Sequence, residues 1–491
     1  MGPYDSCTAV TLESVIKARP TYTRDEIAKK IANGDLLVIY VSKIYRLNNW
    51  IKHHPGGQMP ILHMVGKDAT DEINAYHSAE TIKKKMPLFY YGDVAKEDEQ
   101  FQALLAPVHL PKNELATIES LKPKPQSSII PHEQQQIIDA YRRLDVKLRF
   151  LGLHQCNYYD YGRECIRYFL LALASFLLLY LGTRSWHYYL SAVFLGAFWH
   201  QLTFTAHDAG HLGITHNYNI DSAIGIFIAN FLGGISIGWW KYHHNIHHLV
   251  TNHPEHDPDI QHLPFFAVSR RFLSSLYSTY HKRVMKYDVI SSYVIQIQHF
   301  TYYLIMCFAR FNLLIQSYIY FYKNPRTPFR KYEIFCLCLY YCWYGYLLST
   351  LPTMKIRLIY LLISHVVTAP LHVQITLSHF GMSTEDYGPQ ESFPSKMLRT
   401  TMDVACPTWM DFFHGGLQFQ AIHHLFPRMP RHQLRRAIPY VQEFCDEVGL
   451  KYHVYGFVEG NGKVLSVLKD VAMHVKLMKK VAEAHTEEKI H

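Results

Sequence analysis

Three short stretches of the chain set histidines at spacings that one helix face can present to a single volume: His207 and His211 in "HDAGH", His244, His247 and His248 in "HHNIHH", and His423 and His424, with Gln420, in "QFQAIHH". The last two sets run i, i+3, i+4 and the first runs i, i+4, so on a helix each set projects from one side. A lone H-x-x-x-H pair is most simply a hydrogen-bonded interfacial cluster. Three such sets, each just outside an apolar run, favour a shared metal site, because so many facing imidazoles without metal would be partly protonated near neutral pH and mutually repulsive. His379, in "LSHF" at the end of another apolar run, matches their depth and joins the candidates. These eight histidines exceed the four ligands of a tetrahedral zinc, so two metals are the economical reading. Imidazole suits iron, copper and zinc alike. The carboxylate di-iron pattern built on E-x-x-H helices does not occur between residues 160 and 440. His200, His216, His243, His253, His256, His262 and His414 are left outside the ligand set, as surface or supporting residues.

The elements that must carry these residues are apolar. The chain of 491 residues is 49% hydrophobic, 14% aromatic and 18% charged, yet its mean hydropathy is only −0.08, an average over polar ends and apolar spans. Residues 166–182, 187–206, 332–351 and 356–379 each approach the roughly 20 apolar residues that cross a bilayer core. Residues 220–240 are also long enough, but a crossing there would strand "HDAGH" and "HHNIHH" on opposite faces; a shared site requires this Gly-containing segment to be interfacial or re-entrant. The stretch 288–308, interrupted by Gln296, Gln298 and His299, is ambiguous in the same way. Four spans put both termini in the cytosol, although Lys355 and Arg357 then fall in a luminal loop. The first 20 residues lack the apolar core of a secretory signal. Nine cysteines are scattered with no disulfide framework or zinc pair. The net charge of +9 gathers in "HKRVMK", "KNPRTPFRKYE" and "RMPRHQLRR", which suits loops beside anionic lipid rather than a nucleic-acid site.

Ahead of the apolar part, "DLLVIYVSKIYRL" alternates as short strands do, and "HHPGGQMPILHMVGKDATDEINAYHS" mixes a Gly-Gly turn with helical stretches. "HHPGG", "GKDATDEINAYHS" and "LFYYGDVA" together resemble the cytochrome b5 domain, whose heme iron lies between two histidines; the matching positions are His54 and His77. Ile61, Leu62, Val65 and Ile73 would wall the pocket. With both axial positions filled by protein, such a heme passes electrons and does not bind oxygen. A tethered one-electron donor beside a histidine-rich metal site implies a reaction that consumes electrons, as reductive O2 activation does.

This order of parts resembles the front-end desaturase family over about residues 22–440. The resemblance implies an α+β cytochrome b5-like domain fused to an all-α integral membrane desaturase domain of about four transmembrane helices plus interfacial helices. The divisions are a 1–21 amino-terminal segment, a 22–97 heme domain, a 98–139 semi-flexible linker, a 140–440 membrane domain and a 441–491 cytosolic tail. It implies heme b on His54 and His77, and two non-heme iron ions on His207, His211, His244, His247, His248, His423 and His424. His379 and Gln420, the latter standing where other membrane desaturases have histidine, are further ligands in this reading. Within the family, "HNIHHLVTNHPEHDPDIQHLPFF" is most similar to fungal sphingolipid Δ8-desaturases, which place a trans double bond in the sphingoid base of ceramide. The implied setting is the endoplasmic reticulum membrane, multi-pass with both termini cytosolic. Electrons from NADH would arrive through a separate cytochrome b5 reductase, and no nucleic acid is involved. The alternatives are a front-end fatty acyl desaturase, a lipid hydroxylase on the same scaffold, and a heme-bearing metal transporter or electron carrier; the last predicts polar residues midway through the spans, and the second and third spans show few. Trp239, Trp240 and the tyrosines near 340 receive no role.

Overall fold

A computed structural model describes residues 19–96, 102–123 and 131–488. Residues 1–18 of the stretch read for a signal, residues 97–101 and 124–130 around and within the expected linker, and the last three residues lie outside these. The chain opens with a small α+β unit. Strand β1 (Thr21–Tyr22) leads into helix α1 (Arg24–Ala32), whose start is fixed by Thr23 and Glu26 bonding each other's backbone N–H groups. Strands β2 (Leu37–Tyr40) and β3 (Lys43–Arg46), the short strands expected from the alternation, pair as a hairpin closed by Val41 and Ser42, both at positive φ. Helices α2 (Met59–Met64), α3 (Thr70–Tyr76) and α4 (Ala79–Lys85) follow, and β4 (Tyr90–Val94) completes a sheet of order β1-β4-β3-β2 in which only β1 and β4 are parallel.

The core of this unit joins Ile27, Ile31, Leu37, Ile39, Ile44 and Val65 to Leu104 and Leu121. Both leucines come from the expected tether and are fully buried. The tether is therefore no loose linker over 102–123: its apolar residues find a groove that the small domain would otherwise leave wet. Its distal part is helix α5 (Pro131–Phe150), whose Ile137, Ala140, Tyr141, Leu144 and Leu148 pack with the last third of the chain. Val65 lies in the sheet core rather than beside the two heme-ligand candidates.

Helices occupy all four apolar stretches: α6 (Tyr158–Tyr180), α7 (Ser185–Gly210), later α13 (Arg330–Thr350), and α14 (Met354–Val366) continued by α15 (Ala369–Phe380). Between them run α8 (Tyr218–Gly225), a π-helical segment Ile226–Leu232, α9 (Ile237–Leu249), α10 (Val289–Ile295), α11 (Gln298–Cys307) and α12 (Ala309–Lys323). Among the described residues one helix, Met354–Phe380, is by itself long and apolar enough to cross a bilayer. Two helix pairs pass only together: Tyr218–Leu232 with Ile237–Leu249, bent by 115°, and Gln298–Cys307 with Ala309–Lys323, bent by 69°. The first bend breaks the 220–240 segment, so it does not run as one straight helix. Close helix contact relies on small residues. Ser175 and Ser191 exchange hydroxyl–carbonyl bonds of 2.9 and 2.8 Å between α6 and α7, and a Cβ on Gly196 would stand 2.7 Å from the Ser364 carbonyl oxygen of α14. Outward-facing Phe169, Leu170, Phe176, Phe300, Leu304 and Phe335 are exposed, an apolar surface suited to lipid.

The chain ends with α16 (Phe393–Thr400), α17 (Asp411–His414), α18 (Gln420–Leu425), α19 (Arg431–Val448) and α20 (Phe457–Glu488). The basic run "RMPRHQLRR" does not lie on a lipid-facing loop as expected: Arg428 and Arg431 are buried, and Arg431 pairs with the carboxylates of Asp208 and Glu164. Among the described residues no disulfide forms.

Candidate metal centre and heme site

In the amino-terminal unit His54 follows a single helical turn and His77 caps α3. Their rings face each other with centroids 6.1 Å apart. Each Nδ1 bonds a backbone carbonyl, His54 to Gly57 at 2.8 Å and His77 to Ile73 at 3.1 Å. That fixes the tautomers and leaves both Nε2 atoms for a metal between them. Burial lowers the pKa of His54 and brings His77 down to about 4, keeping both neutral as ligation requires. The turn needs Gly57 on two counts: its φ is +87°, and a Cβ there would meet the Tyr242 ring of α9 at 2.7 Å. The residues present thus fit a bis-histidine heme, and the unit carrying them sits directly on α9. Val38, Met59, Met64 and Ala69 share one core with Ile246, Leu249 and Val250 of that helix and its end.

The histidine sets converge. His207 lies in the last turn of α7 and His211 caps it, α9 supplies His244, His247 and His248, α15 supplies His379, and α18 supplies His423 and His424. Ligand atoms of His207, His211, His244 and His423 all lie within 4.8 Å of one another, as do those of His247, His379 and His424. Metal–nitrogen bonds are about 2.0–2.1 Å long, so nitrogens this close are within reach of one shared ion in each group. His248 stands between them, stacked on His424 at 4.0 Å and with its Nε2 3.0 Å from that of His244. Nitrogens of His207, His211, His248, His379, His423 and His424 are buried without hydrogen-bond partners. Such orphaned acceptors are costly unless something binds them, and two metal ions would satisfy them. Gln420 is buried with its side chain in hydrogen-bonding reach of His379.

Several supporting residues escaped sequence reasoning. Asp257, fully buried, accepts from the His247 Nδ1 at 3.0 and 2.9 Å through its two oxygens, and from the backbone N–H groups of Asn252 and Asp259 at 2.7 and 2.8 Å. Asp259 bonds His243 and lies 3.5 Å from His247. Glu333 of α13 accepts from the Ser236 hydroxyl at 2.6 Å and the Gly238 N–H at 3.0 Å, a carboxylate placed on the positive end of α9. Arg431, pairing with Asp208, holds the residue next to His207. The acidic "HDPD" after the second box was the one available signal; Glu333 and Arg431 lie too far along the chain to be seen. Trp240, left without a role, stacks on His244 at 4.4 Å. Of the histidines set aside, His216 is spent on backbone carbonyls, and His256 stacks with both His253 and His109, beside His63, at the seam between the two units.

A family model described as fatty acid desaturase matches residues 184–456, and one described as cytochrome b5-like heme/steroid binding domain matches residues 23–95. The chain is 45% identical to a Delta 8-(E)-sphingolipid desaturase of Emericella nidulans, over 93% of this chain and 95% of that one. It is 44% identical to the protein of the same name from Komagataella phaffii, over 93% and 94%. An acyl-lipid (9-3)-desaturase of Borago officinalis is 33% identical over 92% of this chain and 94% of its own.

Proposed function

Since the chain belongs to the fatty acid desaturase family and carries a cytochrome b5-like domain, we propose that it is a sphingolipid Δ8-desaturase acting on the sphingoid base of ceramide and forming a trans double bond. The observation that carries this reading is the 44–45% identity, along nearly the whole chain, to fungal proteins of that name; the acyl-lipid relative, at 33%, supports the fatty acyl alternative less. His54 and His77 hold heme b. His207, His211, His244 and His423 hold one iron, and His247, His379 and His424 hold the other with His248 beside them, while Gln420, buried beside His379, serves as a further ligand. The irons, when bound, supply the reduction of O2 that takes two hydrogens from adjacent methylenes with two electrons and two protons, leaving the alkene and two waters.

The protein's part is to position. Asp257 fixes the His247 ring with its other nitrogen toward the metal. Burial of His247, His379 and His424 seals one side of the centre from water, whereas His207 and His244 are partly exposed; the substrate chain approaches on that open edge, beside Trp240. The domain divisions stated from the sequence, with 102–123 packed into the heme domain and Val464, Leu468 and Val471 of the last segment packed against the membrane domain, four spans in the endoplasmic reticulum membrane, cytosolic termini, and a separate NADH-dependent reductase complete the reading. Expression in a host lacking the activity, with mass spectrometry of sphingoid bases and fatty acids, tests it. An unsaturated sphingoid base, lost in His54→Ala and His247→Ala, is the expected result; a new fatty-acid double bond with unaltered sphingoid bases refutes the substrate.

A further inference from the structure

We propose that Tyr76 is the bridge over which single electrons cross from the heme between His54 and His77 to the iron beside His248. The proposal rests on the heme and iron assignments of the preceding section. Tyr76 is the last residue of α3 and is bonded through the backbone to His77. Its ring meets His248 edge-on, with centroids 6.2 Å apart and planes at 86°. Around it pack Met59 and Met64 of the heme domain and Ile246, Leu249 and Val250 of the membrane domain. One side chain therefore joins a heme ligand to a residue of the metal centre, packed against apolar residues of both units.

The electron balance is simple. One electron leaves the heme iron, which goes from ferrous to ferric, and arrives at a non-heme iron, which goes from ferric to ferrous; no bond forms and no proton moves. The Tyr76 hydroxyl is buried and has no hydrogen-bond partner. A phenol gives up an electron readily only when a base takes its proton, and none is in reach, so the ring conducts without being oxidised. The aromatic ring, and not the hydroxyl, is the working part. The other approach between the sites runs from His54, where a Cβ on Gly56 would stand 3.0 Å from the His54 ring and 3.7 Å from the Asn245 amide of α9. This polar side chain makes the natural control.

The test uses the full-length protein with heme and iron loaded. The heme is reduced with a limiting amount of dithionite, the sample is mixed with O2 and ceramide, and the ferrous heme band is followed by stopped flow. Tyr76→Leu and Tyr76→Met, the second filling the space with a flexible apolar chain, are expected to slow heme reoxidation about tenfold or more, equivalent to about 1.4 kcal/mol in the barrier. Heme spectrum, dithionite reduction rate and iron per chain should match the parent. Tyr76→Phe and Asn245→Ala should reoxidise like the parent. Parental rates in both Tyr76→Leu and Tyr76→Met overturn the proposal, and so does a Tyr76→Phe protein as slow as they are, which would give the role to the hydroxyl. A parent chain that binds heme but no further iron removes the underlying assignment instead, a result read from metal analysis before any kinetics.

Discussion

Replacing Asp257 with asparagine isolates the contribution of one buried carboxylate to the metal centre. The carboxylate serves three donors: the His247 Nδ1 bridges both oxygens, the Asn252 N–H takes one, and the Asp259 N–H takes the other. Asparagine keeps the shape but turns one acceptor into an NH2 group facing a backbone donor. That leaves one buried N–H unsatisfied, at about 1–3 kcal/mol, which a protein with about 5–15 kcal/mol of stability survives. Alanine would strand all three donors and endanger folding, so asparagine is the discriminating change. His247 also loses the charge that orients its ring, and changes of this kind typically reduce metal affinity or activity about 10–100-fold. The assay is iron per heme in purified protein, followed by lipid product at matched heme. Asp257→Asn should retain heme fully, lose non-heme iron on mild chelation where the parent does not, and make correspondingly less product. Iron retention and product equal to the parent would refute the claim that Asp257 sets the His247 ligand.

Arg431→Met leaves Asp208 and Glu164 buried without their cation. Breaking such a network is worth about 3–5 kcal/mol, so thermal unfolding should show a large loss of stability; an unchanged transition would contradict the pairing. The seam between the domains should also respond to acid. His63, whose Nδ1 is 2.8 Å from the His109 Nε2, is pushed by burial down to about 3, with Lys396, His253 and Lys67 adding to the effect, and burial likewise holds His109 and His256 well below 6.5. A lowered folded-state value means fewer protons bound folded than unfolded, so this contribution to stability is lost as pH falls below 6.5. His253 runs the other way: burial opposes its charge, but hydrogen bonds to Asp386 and Glu255 raise its pKa, so its contribution is present below 6.5 and lost as pH rises through the raised value. With three lowered against one raised, residues 102–123 should become more open to protease between about pH 6.5 and pH 5; digestion that does not change over that interval would count against the seam.

The histidine sets were legible because helix periodicity is local: i, i+4 spacing keeps His207 and His211 in one group, with His244 and His423, whereas His247 and His424 of the other two sets fall with His379 in a second group. Strands β2 and β3 were legible for the same reason, their two-residue alternation needing no distant partner. Glu333 was not, since its role depends on α13 lying against the start of α9, 95 residues earlier in sequence. Arg431 was misread because charge in a sequence says nothing of burial; only the fold reveals that Asp208 and Glu164 wait inside to neutralise it. The 115° bend between the π-helical segment and α9 falls in the stretch that the placing of the histidines kept from being a simple crossing, while its apolar composition alone read as a straight one. The tether misled because its apolar residues are few, and the groove that receives Leu104 and Leu121 belongs to another stretch of chain.

Those two leucines carry a consequence for how the electron supply scales. A carrier swinging on a slack leash delivers at a frequency set by the leash's length and stiffness. Here Leu104 and Leu121 knit the leash into the carrier, and Gly57 seats that carrier against Tyr242. Donor and acceptor therefore meet as neighbours and not by search. On the proposed heme and iron assignments the heme domain needs no swing to reach its acceptor, so an intact copy is expected to restore no turnover to a chain with a dead heme.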